Sequence, residues 1–390
     1  MNIFTEYPEK DEKKYFDLVV EQTRFNMDKL YKEAEKAFRD THIKTHACVQ
    51  GTLEIFDFDE TEIKQKLSQN TSLSEAILNQ INLKQGLLTT PKQYPVWLRF
   101  ANGRTQRKGD YEPDTRSMSV KVMGVEGERL PESHESNTQD IVVQNAEIFF
   151  IKTIKNYYGF FSAVVKAGIF PILWLLFHPK QKNALQTITS RIPQSLLTER
   201  YWSGSASALG LKPDFDAAKT GVVSVEYPAV IKYAFTPVSP QPPHTRISIP
   251  SRSESSLEQG KTKGIEDHYY REELIQSLAK SEAEYCWDFQ IQVQTKPEMS
   301  IDDVTIVWNE DESPFLTVGR LTIKHQQINF EKQCDFCENL RFSPWNGLAV
   351  HRPVGALNRL RSIVYSIVGE YRHQKQGLNY QEPTGTEEFN

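Results

Sequence analysis

Nine stretches of the chain alternate apolar and polar residues or are rich in β-branched ones: VQGTLEIFDF (49–58), YPVWLRFANG (94–103), MSVKVMGVEG (118–127), QDIVVQN (139–145), VVSVEYPAVIKYAFTPV (222–238), RISIPS (246–251), YCWDFQIQVQT (285–295), VTIVWNE (304–310) and GRLTIKHQ (319–326). A period of two sends successive side chains to opposite faces, so each stretch has one face to bury. Pro, Gly and Asp turns separate them, too close together for parallel crossovers throughout. Closing one large antiparallel sheet on itself buries the apolar face and removes the edges. The expected fold class is therefore α+β, an antiparallel β-barrel of about eight strands wrapped by helices. Residues 9–38 carry Phe16, Val19, Val20, Leu30, Ala34 and Ala37 at helical spacing. The expected division is a helical arm over 1–37, a single barrel domain with helices over 38–376, and a flexible tail over 377–390. An exposed loop is expected at 252–264.

At 390 residues with 38% apolar content, the chain is long enough to bury a substantial core. Its 51 acidic residues outnumber 46 Lys and Arg, and a net charge of -5 offers no general field for nucleic acid. Any anion site has to be local. The four cysteines make no disulfide framework, and CDFC (334–337) is a Cys-x-x-Cys without a second pair. The charged N-terminus has no apolar signal core, so a cytoplasmic location is expected. FFSAVVKAGIFPILWLLFHP (160–179) is apolar, yet Lys166, Gly168 and Pro171 interrupt it. Two short helices, buried or forming an apolar collar, are expected in place of a spanning one. A peripheral membrane contact there stays open.

Two stretches gather chemistry. In RSIVYSIVGEYR (361–372), at about 100° per residue, Tyr365 lies roughly 40° round from Arg361 and Arg372 returns to within about 20° of it. Two cations and a phenol share one stripe, which is either a solvated face or a site for a buried anion. In FRDTHIKTHACVQGTLEI (38–55), His42 and His46 lie at i and i+4, a spacing open to a metal pair or to structural histidines, with Arg39 beside them.

RDTHIKTHACVQGTLEI resembles the distal-histidine segment of haem catalases and their shorter catalase-like relatives. WLRFANG is similar to the family's Arg-Phe-Ser barrel strand, DTRSMSVKVMGVEG to its Asp-x-Arg-Gly-x-Ala-x-Lys segment, and IVVQNAEIFFIK to the stretch ending in Phe-Phe. ENLRFSPWNGLAVHRPVGALNRLRSIVY resembles the proximal helix with its Arg-x-x-x-Tyr. The five motifs occur in the family's order over about 38–373, which identifies the chain as resembling a short branch without the C-terminal flavodoxin-like domain. The resemblance implies haem b as cofactor, with Tyr365 the axial ligand to iron and Arg361 bonded to its phenolate. It places Arg39, Arg99 and Arg372 on the haem propionates, Thr41 against the haem face, and His42 as distal acid/base. Asn145 becomes the distal amide, with Gln144 one residue away, and Tyr157 an aromatic wall of the distal pocket. Elementary chemistry agrees. A phenol with ordinary pKa near 10 ligates iron as phenolate, which a cation four residues away favours, and arginine's fork suits carboxylates.

The implied activity is decomposition of hydrogen peroxide or organic hydroperoxides. Two positions depart from the pattern. Ala101 stands where the family's serine orients the distal histidine, and Thr41 stands where efficient catalases carry valine. Thr-His here is similar to catalase-related allene oxide synthases, so rearrangement of a fatty-acid hydroperoxide is an alternative. A non-catalytic haem-binding protein on the same barrel is another. No nucleic-acid partner is expected, and homo-oligomerisation stays open.

Overall fold

The computed structural model describes residues 2–70, 73–211, 224–238, 268–378 and 380–389. Eight antiparallel strands form a closed barrel: β1 (Thr45–Ile55), β2 (Lys92–Asn102), β3 (Arg116–Met123), β4 (Thr138–Gln144), β5 (Tyr201–Trp202), β6 (Val230–Pro237), β7 (Glu284–Val293) and β8 (Leu316–Lys324). Each pairs with the next, and β8 closes on β1 through Gly319↔Ile55 to Thr322↔Thr52. Nine helices lie outside among the described residues: α1 (Glu12–Tyr31), α2 (Glu60–Asn70), α3 (Glu75–Gln80), α4 (Ile154–Lys166), α5 (Phe170–Phe177), α6 (Pro179–Thr189), α7 (Tyr269–Leu278), α8 (Phe330–Asn339) and α9 (Ala356–Gln376).

The period of two sorts the strands as the sequence suggests. Val49, Leu53 and Ile55 of β1, Val96, Leu98 and Phe100 of β2, and Met118, Val120 and Val122 of β3 fill the barrel. Each such buried side chain contributes on the order of 1.5–3 kcal/mol. Gly51 of β1 is required by close approach, because a Cβ there would lie 2.8 Å from the Thr322 carbonyl oxygen and 2.9 Å from Leu98. The alternate residues, Cys48, Arg99, Ser117, Ser119, Lys121 and Val142, point outward and are covered by helices and the C-terminal segment. Helices α1, α4 and α9 share a second core containing Val19, Met27, Ile154, Leu360, Val364 and Val368. α9 ends where Gly377 takes φ 59°, its N–H and that of Leu378 closing on the last carbonyls.

Several expectations need correction. VTIVWNE (304–310) is no strand: Asp303 Oδ1 accepts the Thr305 N–H at 3.1 Å and its hydroxyl at 2.6 Å, and this local turn overrides β-propensity. The barrel instead completes itself with Tyr201–Trp202, too short to show a period. RISIPS (246–251) and the loop expected at 252–264 lie outside the described residues, as does the start of 222–238. The described residues after Gly377 include some that pack on the barrel, where a flexible tail is expected. Glu387 accepts from Trp97 Nε1 at 2.8 Å, and the Phe389 ring lies 5.7 Å from that of Trp97. A disulfide joins Cys48 of β1 to Cys337 of α8, a pairing commoner in oxidising compartments, and leaves Cys334 of CDFC free. The break in 160–179 falls at Ala167 and Gly168, both at φ 61°, and Pro171 lies in the first turn of α5. That helix is exposed and buries none of its residues. Among the described residues no helix is long and apolar enough to cross a membrane.

The outward face of β3 also carries a fully buried ion triad, in which Lys121 Nζ lies 2.7 Å from Asp140 and 2.5 Å from Glu135. Removing the shared cation leaves two carboxylates buried together. Lys121→Ala is expected to destabilise the protein by about 3–5 kcal/mol, read as a lower urea midpoint.

Candidate functional site

A cleft lies between the outer wall of the barrel and α9. Arg99 of β2, Ser117 and Ser119 of β3 and Val142 of β4 form one wall, all outward positions of their strands. Arg99 pairs with Ser119 and Ser119 with Val142 across the ladder, so these side chains are neighbours on one face. Tyr365, Val368, Gly369 and Arg372 line the opposite side, one stripe of α9 at i, i+3, i+4 and i+7. The loop Arg39–His42 and Phe342 complete the lining.

His42 has φ 54°, a left-handed conformation that non-glycine residues seldom adopt. Arg99 holds it there, its Nη2 donating to the His42 carbonyl at 2.7 Å and to Thr45 Oγ1 at 2.7 Å. A bulge follows, with Thr45 opposite Ala101 and Ala47 opposite Phe100. The extra residue, His46, is turned away from the cleft. Its Nε2 lies 2.7 Å from Asn102 Oδ1 and its Nδ1 3.7 Å from Asp110, so His42 and His46 do not converge. Among the described residues no cluster of His, Cys, Asp and Glu is arranged to hold a metal ion.

Ser117 stands in register with Ala101, and its Oγ lies 3.0 Å from His42 Nδ1 and 3.2 Å from the Ala101 carbonyl. A hydroxyl has one proton. Donated to that carbonyl, it leaves an oxygen lone pair to accept Nδ1–H, so Nε2 is the bare nitrogen. The neighbouring strand thus supplies the histidine partner that Ala101 does not. Burial, then Arg99, Arg361 and Arg39, push the His42 pKa down to about 3. The ring is neutral at ordinary pH.

The three arginines expected to bind carboxylates gather round one that the sequence reading did not single out, Glu338 in the last turn of α8. Arg39 Nη1 pairs with one of its oxygens and Arg99 Nη2 lies 3.1 Å from the other, which Thr45 Oγ1 also reaches at 2.7 Å. Burial opposes ionisation of Glu338, but Arg39, Arg99 and Arg372 together hold its carboxyl below the usual carboxylate range. Arg39 also donates to the Leu340 carbonyl at 3.0 Å, at the end of α8. Arg372 is 3% exposed, and its Nε and Nη2 have no hydrogen-bond partner among the described residues. Burial pulls both Arg39 and Arg372 below the usual guanidinium range.

The other expected site residues lie outside the cleft lining. Arg361 Nη1 donates to Ser205 Oγ at 3.0 Å and Asn358 Oδ1 at 3.2 Å, one turn behind Tyr365. Tyr157 of α4 packs into the helical core beside Tyr365. Asn145 is occupied elsewhere: its Oδ1 accepts the Arg116 N–H at 2.7 Å, and its Nδ2 donates to Glu199 at 3.4 Å. Gln144 donates to the Ile148 carbonyl at 3.0 Å. Thr41 and Asp40 do line the cleft, the Asp40 carboxylate accepting the Thr41 N–H at 2.8 Å.

A closed eight-stranded barrel with helices outside it and a cleft between the two is the catalase-like fold. The chain is similar to the crystal structure of a fungal catalase with TM-score 0.59 and 19% identity, covering 88% of this chain and 61% of that one. A bacterial catalase gives TM-score 0.57 and 16% identity over 90% of this chain and 59% of that one. Catalase A from Saccharomyces cerevisiae gives 0.60 and 15% over 93% and 67%. The chain therefore spans about three-fifths of the fungal and bacterial catalases. At these identities the likeness establishes the fold. No protein-family model matches the chain, and no curated protein does.

Proposed function

We propose that this protein is a haem-dependent oxidoreductase that decomposes hydrogen peroxide or organic hydroperoxides. The observation that carries the reading is one cleft lined by His42 on one side, Tyr365 on the other, and Arg39, Arg99 and Arg372. The residues fit haem b. Three guanidinium groups stand against the Glu338 and Asp40 carboxyls, so cations are in excess, and haem brings two propionates. The Nε and Nη2 of Arg372, without a partner among the described residues, are donors suited to such an anion. Burial raises the Asp40 carboxyl above the usual carboxylate range.

In this reading Tyr365 would hold the haem iron, with Arg361, four residues earlier, on the same face of the helix. Bound haem supplies the iron at which a peroxide O–O bond breaks. His42 Nε2 accepts the proton from the peroxide oxygen and returns it to the departing one, while Ser117 keeps the other ring nitrogen protonated and the imidazole oriented. Thr41, also in the cleft, favours a second reading, in which a lipid hydroperoxide is rearranged without oxygen release. The feature that suggested a non-catalytic carrier, the loss of the histidine's partner at Ala101, is offset by Ser117.

Haem-loaded protein is expected to release oxygen from hydrogen peroxide at an oxygen electrode. Rapid loss of a fatty-acid hydroperoxide without oxygen supports the second reading; inertness toward both overturns the proposal. The pH profile tests His42 separately. With its pKa near 3, the base is already free of its proton at pH 5, so the rate holds from pH 8 to 5 and falls only as protonation sets in below about 4. A midpoint near 6.5 would contradict a buried neutral imidazole.

A further inference from the structure

Helix α5, Phe170–Phe177, is an apolar element that the barrel does not bury. Ile172, Leu176 and Phe177 are 59%, 57% and 81% exposed, and Ile169, Phe170 and Leu173 extend the same surface. Soluble surfaces seldom carry so many large apolar side chains together without a partner. The helix is nevertheless firmly seated. Trp174 packs on the Phe160 ring of α4 at 5.3 Å and stacks on His178 at 3.8 Å. Gly159 makes room for it, since a Cβ there would lie 2.8 Å from the indole nitrogen. The apolar row is thus held outward on a fixed base.

Charge identifies what covers it. From Ile148 to Thr198 the chain has no Asp or Glu and six cations, Lys152, Lys155, Lys166, Lys180, Lys182 and Arg191, in a protein whose net charge is -5. Lys152 pairs with Asp303 and Arg191 with Glu199. Lys155, Lys166, Lys180 and Lys182 form no ion pair among the described residues. Lys166 lies 5.7 Å over the Phe170 ring and Lys180 lies in the first turn of α6 just past Phe177, so cations border the apolar row at both ends. A second copy docked on this face would bring like charges together. An anionic lipid surface satisfies both features, apolar residues entering the acyl boundary and lysines meeting headgroups.

We propose that α5 is a peripheral anchor that lies flat in the interface of an anionic bilayer. Eight residues at 1.5 Å rise span about 12 Å against a hydrocarbon core of about 30 Å, so the helix rests in the interface and does not cross. This inference does not depend on haem or on the proposed activity.

The test is co-sedimentation of the full chain with phosphatidylcholine vesicles, with and without about one-third phosphatidylglycerol; the bound fraction at low salt is expected to be roughly tenfold higher on the anionic vesicles and to drop in 1 M salt. Leu176→Ser with Phe177→Ser is expected to abolish binding at an unchanged melting temperature, because both side chains are exposed. Lys166→Glu with Lys180→Glu is expected to remove the preference for anionic lipid. Failure of the parent to bind anionic vesicles overturns the proposal, as does equal binding by the serine variant. A parent dimer that the serine variant converts to monomer, without vesicle binding, assigns the face to a second copy and overturns it too.

Discussion

Tyr365→Phe, expressed with haem supplied, is expected to lose the high-spin ferric Soret band expected of the parent, or to shift it strongly. The substitution removes one oxygen from a half-buried side chain on α9 and leaves the packing of Val364 and Val368 intact. A change in fold therefore does not follow from it, and far-ultraviolet circular dichroism is expected to match the parent. What is lost is the only phenol lining the cleft among the described residues. Fe(III) has little affinity for a phenyl ring, so occupancy rests on the arginines alone and the ligand field changes. Identical spectra in parent and variant would remove Tyr365 from the iron and with it the central part of the proposed function.

His42→Ala is expected to keep the Soret band and lose about 10²- to 10⁴-fold in peroxide turnover, the usual worth of a positioned proton carrier. The separation of the two readouts matters, since the histidine lies on the face of the cleft away from Tyr365. Parental turnover in the variant would move the acid/base role to another group. Ser117→Ala probes the same chemistry one step back. It leaves the ring in place but frees Nδ1, so turnover is expected to fall by about tenfold as the tautomer and orientation are lost. Because Ala101 and Ser117 are paired across β2 and β3, the exchange Ala101→Ser with Ser117→Ala returns a hydroxyl to the same corner from the opposite strand. Recovery of activity in this double variant, without recovery in Ala101→Gly with Ser117→Ala, distinguishes a hydrogen-bonding role from one of bulk.

Much of the barrel was legible because strand periodicity is a local property. In 94–103 or 118–127 each residue's face follows from its neighbour's, so inward Leu98 and Val120 and outward Arg99 and Ser119 are read in one pass. The stripe of α9 was legible for the same reason, and Tyr365 and Arg372 do share the cleft. The misreadings were local signals overridden by others. Residues 304–310 have β-branched residues, but Asp303 captures Thr305 first. Two-residue β5 has no period to read, yet its pairs with β4 and β6 are needed to close the barrel.

The sequence by itself determined which residue types stand on which face of each strand and helix, and hence that arginines, a histidine and a tyrosine were available at outward positions. Only the tertiary structure decided how they meet. Ser117 reaches His42 across 75 residues of chain, and Glu338 reaches Arg39 across 299. Neither separation leaves a trace in local spacing, because closing the barrel and docking α8 against β1 set those distances. The Cys48–Cys337 bridge fixes the same docking, holding the turn that bears Glu338 beside the strand that follows His42. Asn145, at the end of β4, shows the converse. Its place in the sequence suited a distal amide, but the barrel wall gave its oxygen to the Arg116 amide and its nitrogen to Glu199. A side chain's chemistry is written in the sequence, whereas the partner that uses it is chosen by packing, since hydrogen bonds act over about 3 Å and the chain has to fold before that distance exists.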